Sequence, residues 1–183
     1  ERLRPLLIGG GIGIPPMVFL ADSLRSDDRF RPFAILGSEV PFPFQLRPSQ
    51  HLVTGLPPAV IAAMPLLDDW GVPSRLASLQ GYAGCYQGYV TDLARAWLES
   101  LDERAHSEVE IFSCGPHPML DAVAGSARAF DLPCQVSLEA LMACGERFAY
   151  VDILSNPEIR ASLPQYANWP TFPQVYVNGE LVG

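Results

Sequence analysis

A chain of 183 residues, 49% of them hydrophobic, carries enough apolar material for one core of ordinary size, or for one domain with part of another. Its formal charge of −8 and pI near 4.7 argue against a nucleic-acid surface, and no block of basic residues offsets that balance. No apolar run reaches the roughly 18 residues that a membrane-spanning helix needs, and no secretory leader pattern opens the chain. The sequence starts at Glu1 and enters a strand-like segment almost at once, which reads as a piece of something longer. Four cysteines, Cys85, Cys114, Cys134 and Cys144, show no C-x-x-C spacing, so zinc is not indicated. A reduced, cytoplasmic compartment is the expectation.

The first predicted element is a strand over Leu6-Leu7-Ile8, ending in Gly9-Gly10-Gly11-Ile12-Gly13. Two prolines follow, and a helix is expected over Met17 to Arg25 with Pro16 at its first position, where a missing N–H costs nothing. Strand, glycine turn and helix N-terminus together suit a phosphate, because glycine admits close backbone approach and the helix end is partially positive. The pattern is Gly11-x-Gly13-x-x-Pro16 rather than G-x-G-x-x-G, and a glycine-rich turn of any α/β protein remains the alternative.

Arg31-Pro32 marks a return to extended chain, and Phe33 to Ser38 is a second buried strand closed by Gly37. An acidic residue after the second strand is where a ribose hydroxyl is read. Glu39 occupies that place and points to NAD over NADP, with a solvated loop carboxylate as the alternative. Thr54 to Leu67 is apolar but broken by proline, so a short strand and irregular chain are expected. Arg75 to Leu79 is a further strand, Gly81 to Gly88 a glycine-rich loop, and Thr91 to Leu98 an amphipathic helix with Thr91 or Asp92 as its cap. Val109 to Ser113 is a strand that runs into Cys114-Gly115-Pro116-His117-Pro118-Met119. Met119 to Phe130 is a helix, and Cys134 to Leu138 is the last strand of this part. Strands alternating with helices, without a tight hairpin signal, predict a parallel, doubly wound sheet. Ligands in such sheets sit at the carboxyl ends of strands, where both informative loops fall.

The two loops together resemble the nucleotide-binding domain of the ferredoxin reductase superfamily. Gly88-Tyr89-Val90-Thr91-Asp92 and Cys134-Gln135-Val136-Ser137-Leu138-Glu139, followed by Met142, Cys144 and Gly145, are similar to the electron-transfer subunit of dihydroorotate dehydrogenase. The resemblance covers about residues 1–145. It implies an oxidoreductase module that binds NAD(P)H and delivers hydride to a flavin, with a catalytic dihydroorotate dehydrogenase subunit as partner. Gly10, Gly11, Gly13 and Pro16 would hold the dinucleotide pyrophosphate. Cys114, Gly115 and Pro116 would lie beside nicotinamide and flavin, with Met119 in the same cofactor-binding set and Cys114 as the catalytic residue. A small buried hydrophobe is the alternative reading of Cys114. The resemblance also implies FAD and a 2Fe–2S cluster. The flavin domain is not in the sequence, and Cys144 matches the first of four expected cluster ligands.

From about Cys144 the chain resembles a different family. Glu146-Arg147-Phe148-Ala149-Tyr150-Val151-Asp152-Ile153-Leu154, Asn168 to Gln174 and Asn178 to Gly183 are close to a monothiol glutaredoxin, and Ala143-Cys144-Gly145 belongs to both families. That resemblance implies glutathione contacts at Thr171-Phe172-Pro173, with Pro173 as a cis proline, and at Arg160. A rigid proline turn without a ligand is the alternative. The nucleophilic Cys-Gly-Phe-Ser motif of that family is absent, and so is the Gly-Asp segment expected after Gly183. The expected architecture is therefore α/β: a ferredoxin-reductase-type nucleotide-binding domain, a doubly wound parallel sheet, over 1–143, and an incomplete thioredoxin-like tail over 144–183. The expected function is the NAD(P)H-binding module of a flavin and iron–sulfur electron-transfer oxidoreductase, incomplete as it stands. The alternatives are a glutaredoxin-like glutathione or iron–sulfur protein, or an inactive chimera.

Overall fold

A computed structural model describes residues 2–138, 176–177 and 180–181. The chain divides into two compact units, Glu1–Glu139 and Ala140–Gly183. In the first unit the elements run β1 (Arg4–Gly10), a 3₁₀ turn (Gly11–Gly13), α1 (Ile14–Leu24), β2 (Phe33–Gly37), β3 (Arg47–Pro48), β4 (Ala62–Ala63), α2 (Pro65–Asp69), β5 (Ser74–Ala77), α3 (Val90–Glu99), α4 (Glu103–Ser107), β6 (Val109–Gly115), α5 (His117–Ala129) and β7 (Cys134–Leu138). Five strands form one sheet in the order β5-β2-β1-β6-β7, and all four pairings are parallel.

Strand alternation builds the two faces of this sheet. Leu6 and Ile8 of β1 point to one side, where they join Phe33, Ile35, Ile111, Leu93, Trp97, Val123 and Ala127 in a buried cluster. Leu7 points to the other, among Ile14, Met17, Ala21, Ala34, Leu36, Leu67 and Leu76. Helices α3 and α5 therefore cover one face and α1 and α2 the opposite one. Crossovers of one hand place helices on opposite faces when the chain reverses its direction across the sheet. In α3, Val90, Leu93, Ala94, Trp97 and Leu98 are buried, the spacing of a single helical stripe. Trp97 meets Phe33 at a ring-centroid distance of 5.0 Å.

Several boundaries depart from the sequence-based expectation. Helix α1 begins at Ile14, ahead of both prolines, not at Pro16 or Met17, because a proline anywhere in the first turn lacks only an N–H that has no intrahelical acceptor. Helix α3 has Tyr89 as its N-cap and no side-chain cap, so neither Thr91 nor Asp92 caps it. The stretch from Thr54 to Leu67 holds the expected short strand as β4, but five-residue α2 begins at its end and continues to Asp69. Equally short α4 is capped by Asp102, which accepts the Ala105 amide at 2.7 Å. A small antiparallel pair, β3 with β4, joins the otherwise parallel plan. In the second unit, β8 (Tyr176–Val177) and β9 (Glu180–Leu181) pair antiparallel. No described helix is long and apolar enough to cross a membrane.

The long connection between β2 and β5 is held by one buried carboxylate. The Asp68 side chain is fully buried. It accepts the Ser49 hydroxyl at 2.7 Å and the Gln50 amide at 3.2 Å on each oxygen. Arg47 reaches it at 3.5 Å and also pairs with Asp69. Buried Arg75 donates to the carbonyls of Ser74 and His51 at 2.7 and 2.8 Å. Burial pushes the Asp68 carboxyl pKa up, but the Ser49 and Gln50 hydrogen bonds and the charges of His51 and Arg47 outweigh it and hold the group below its ordinary value of 3.8. A depressed folded-state pKa gives stability that is complete above the unfolded value and is lost as pH falls through the folded one. Asp68→Asn is expected to cost about 1–3 kcal/mol at neutral pH, since it leaves buried donors without their charged acceptor. Urea unfolding followed by circular dichroism should show the gap to the parent shrinking below about pH 4.

Candidate functional site

The strand order reverses between β1 and β6. From β1 the chain moves outward to β2 and β5, then returns to β6 on the other side of β1. Ligands of open parallel sheets bind outside the carboxyl ends of strands at such a switch point. Gly9 lies in register with Cys114, so the glycine turn and the Cys-Gly-Pro loop leave the sheet side by side. The structure thus brings Gly10, Gly11, Gly13, Cys114, Gly115, Pro116 and Met119 to one place, and Pro16 lies exposed in the first turn of α1.

The contact between these loops is backbone on backbone. A Cβ on Gly13 would stand 2.0 Å from the Cys114 carbonyl oxygen and 2.7 Å from the Gly115 nitrogen. Gly11 has φ +57°, a left-handed conformation that glycine adopts without steric cost. A Cβ on Gly10 would meet the Met119 sulfur at 2.5 Å. Cys114 is buried at 4% exposure, so its backbone rather than an open thiol faces the turn. Ser113 beside it donates its hydroxyl to the Ile8 carbonyl at 3.1 Å and ties the two strands together.

The donors available to an anion differ from the sequence expectation. Helix α1 has neither a side-chain cap nor an acidic residue in its first turn, which leaves its positive end uncompensated. However, the Ile14 amide is taken by the Gly11 carbonyl, and Pro15 and Pro16 have no N–H. The helix proper therefore contributes its dipole and few donors. The amides at the start of the 3₁₀ turn, Gly11 and Ile12, fall outside the intrahelical ladder, and both residues are exposed. An anion at this corner would be held by the turn.

Glu39 lies two residues beyond β2, exposed, and its carbonyl accepts Gln80 Nε2 at 3.4 Å. That contact links the loops after β2 and β5. Beside it is a cavity of about 160 Å³ lined by Pro41, Phe42, Phe44, Leu46 and Tyr82, with the Phe42 and Tyr82 rings edge to face at 6.2 Å. Sequence reasoning missed this aromatic slot, although the Pro-Phe-Pro-Phe run was its signal. His117 opens α5 and pairs with Asp121 at 2.9 Å on the exposed surface. Burial raises the thiol pKa of Cys85 and of Cys134, which favours the protonated form over a metal-binding thiolate. Among the described residues no group of three or more His, Cys, Asp or Glu could hold a metal. The described residues therefore do not fit a 2Fe–2S cluster. Cys144, Arg160, Thr171, Phe172 and Pro173 lie outside the described residues.

Comparison with known proteins divides along the chain. The glutaredoxin family profile matches residues 133–182. Over 47 residues the chain is 77% identical to glutaredoxin 4 of Escherichia coli (strain K12), covering 26% of this chain and 41% of that protein. Glutaredoxin 4 of Pasteurella multocida (strain Pm70) is 68% identical over 47 residues, covering 26% and 43%. The chain spans about two-fifths of the length of these curated relatives. Among solved structures, the ferredoxin reductase in carbazole 1,9a-dioxygenase superposes with a TM-score of 0.52 at 18% identity, covering 75% of this chain and 38% of that one. The chain joins an α/β parallel-sheet fold of the ferredoxin-reductase type to a glutaredoxin-like segment.

Two substitutions separate packing from helix propensity. Gly13→Ala forces a Cβ onto a backbone carbonyl that cannot rotate away, and should cost about 1–3 kcal/mol in urea unfolding as an overpacking change. Gly125 of α5 has open space around its Cα, so Gly125→Ala should stabilise by about 0.5–1 kcal/mol.

Proposed function

We propose that this chain is a two-part redox protein: residues 1–143 take a pyridine dinucleotide, and residues 144–183 form a glutaredoxin-like segment directed at glutathione. The observation that supports the dinucleotide reading is the pair of loops in backbone contact at the switch point of the sheet. In this reading the Gly10–Gly13 turn takes the pyrophosphate, with Pro16 fixing the first turn of α1. Cys114, Gly115 and Pro116 border the nicotinamide. Glu39 reads the ribose and so selects NAD, and the slot of Phe42, Phe44 and Tyr82 accepts an aromatic base. Hydride chemistry belongs to the nicotinamide; the protein's part is to bind and orient it and to keep water from the ring.

The glutathione reading has the stronger sequence support, namely 77% identity to glutaredoxin 4. In this reading Arg160 pairs with a glutathione carboxylate and Thr171-Phe172-Pro173 bind its cysteinyl backbone, as the glutaredoxin resemblance implies. Support for a flavin and iron–sulfur reductase is weaker. The likeness to a ferredoxin reductase is one of fold at 18% identity, and Cys144 is a single candidate thiolate where four are usual. Assignment to the electron-transfer subunit of dihydroorotate dehydrogenase, with its catalytic subunit as partner and the cytoplasm as compartment, rests on the motifs at Gly88–Asp92 and Cys134–Gly145. FAD, where bound, would supply the splitting of a hydride's electron pair.

Titration calorimetry on the full chain tests each half separately. NADH should bind the parent and fail to bind Gly13→Val; equal affinities would remove the dinucleotide reading. Reduced glutathione should bind the parent and bind Arg160→Ala on the order of tenfold more weakly, the loss of one charge-assisted hydrogen bond. A parent that does not bind glutathione would remove the second reading and leave the first intact.

A further inference from the structure

We propose that Met119 is the positioning residue of the switch-point site, a thioether brace that sets the spacing between the glycine turn and the Cys-Gly-Pro loop. The inference rests on the dinucleotide reading and deepens it. Met119 is the third residue of α5, and its amide donates to the Pro116 carbonyl at 2.9 Å. Long side chains at this point of a helix lean back toward the N-terminus, here over the loop that precedes α5. The side chain fills a notch left by two absent Cβ atoms, one on each loop. Its sulfur lies 2.5 Å from where a Cβ of Gly10 would stand, and its methyl carbon 2.5 Å from where a Cβ of Gly115 would stand. Gly10 and Gly115 also approach each other directly, with the Gly10 carbonyl oxygen 3.2 Å from that same Gly115 position.

The two loops are thus set from both sides. Gly13 against the Cys114 carbonyl is the hard stop that limits how near they come. Met119, half-buried and packed on the core cluster of Leu6, Ile8 and Val123, fills the space behind them. An unbranched thioether suits this irregular gap, since it bends around both backbones and is polarizable at the contact. Met119 therefore reaches the nucleotide through the position it gives the Gly11 and Ile12 amides. Its effect should appear in affinity more than in global stability.

The test uses the full chain with Met119→Ala, Met119→Leu, Gly10→Ala and the double variant Gly10→Ala/Met119→Ala. NADH affinity is measured by calorimetry, thermal midpoint by circular dichroism, and amide exchange by mass spectrometry. Met119→Ala should weaken NADH binding on the order of tenfold, as displaced binding groups do, and should speed exchange over 9–16 while 33–37 keeps its rate. Met119→Leu should restore most of the affinity. Gly10→Ala should weaken binding because its Cβ displaces the thioether. The double variant should then bind no worse than Met119→Ala alone, the non-additivity expected of touching residues. Equal affinity of Met119→Ala and a binding-competent parent overturns the inference, as do additive losses in the double variant. A parent that binds no NADH overturns the dinucleotide reading instead, and the exchange rates over 9–16 then decide whether Met119 braces the loops.

Discussion

One contact governs the carboxyl edge of the sheet: the Gly13 Cα against the Cys114 carbonyl. The parallel register of Gly9 with Cys114 makes it unavoidable. Two neighbouring strands end level, and each must turn into a helix on the opposite face of the sheet. The chains can diverge from that point only if one has no side chain there. The surrounding glycines follow from the same crowding, each for its own reason. A Cβ on Gly9 would press on Leu36 and on the backbone of Gly13 and Ile14 at 3.1–3.2 Å, and one on Gly10 would meet Met119. Gly11 alone is set by its φ, with open space around it. A run that reads in sequence as one flexible turn is thus four separate fits.

The opposite edge of the sheet depends on a different constraint. Strand β5 is the last strand on that side, and such an edge offers unpaired backbone groups to other chains. Here the loop after it folds back. The Tyr86 amide donates to the Leu76 carbonyl at 2.8 Å, and the Ser78 amide donates to the Tyr86 carbonyl at 2.9 Å. Ala62 of β4 packs beneath, with its amide on the Gly84 carbonyl at 2.7 Å. This cover stays in place because β3 and β4 are anchored through Ser49, Gln50 and Arg47 to buried Asp68. The aromatic slot lies between the loops that Asp68 and Tyr86 hold, so its shape depends on a carboxylate far from it in sequence.

The three central strands of the sheet were legible from sequence because they carry apolar runs and end at Gly10, Gly37 and Gly115. Leu6 to Ile8, Phe33 to Leu36 and Ile111 announce themselves by composition. Helix starts were less legible. Two adjacent prolines fix where a helix can begin only to within a turn, and α1 takes the earliest of the permitted starts. Helices α2 and α4 are too short for any periodicity to register. The Asp68 network was invisible for a physical reason. Asp68 and Asp69 are neighbours of one type, one buried and one exposed, and only the three-dimensional path of residues 47–51 distinguishes them. At the site, the glycines and the Cys-Gly-Pro loop were legible as a pattern. The loss of helix donors at Pro15 and Pro16 was not, because it depends on where α1 starts.

Strand β7 bears on how a parallel-sheet fold and a glutaredoxin-like segment can share a stretch of sequence. The glutaredoxin profile begins at residue 133, yet Cys134–Leu138 pairs with β6 from Ile111↔Cys134 to Gly115↔Leu138. One segment satisfies both patterns because an edge strand asks little of its side chains. Gln135 and Ser137 are exposed, Val136 is 48% exposed, and Cys134 is only partly buried. Its attachment comes mainly from backbone hydrogen bonds, beginning with the Ile111 amide on the Pro133 carbonyl at 2.9 Å, and backbone groups are the same in every sequence. Strands β1 and β2, buried on both faces, have no such latitude. A change of sequence pattern is thus easiest to accommodate at the last strand of the sheet, where side-chain identity contributes least to the core.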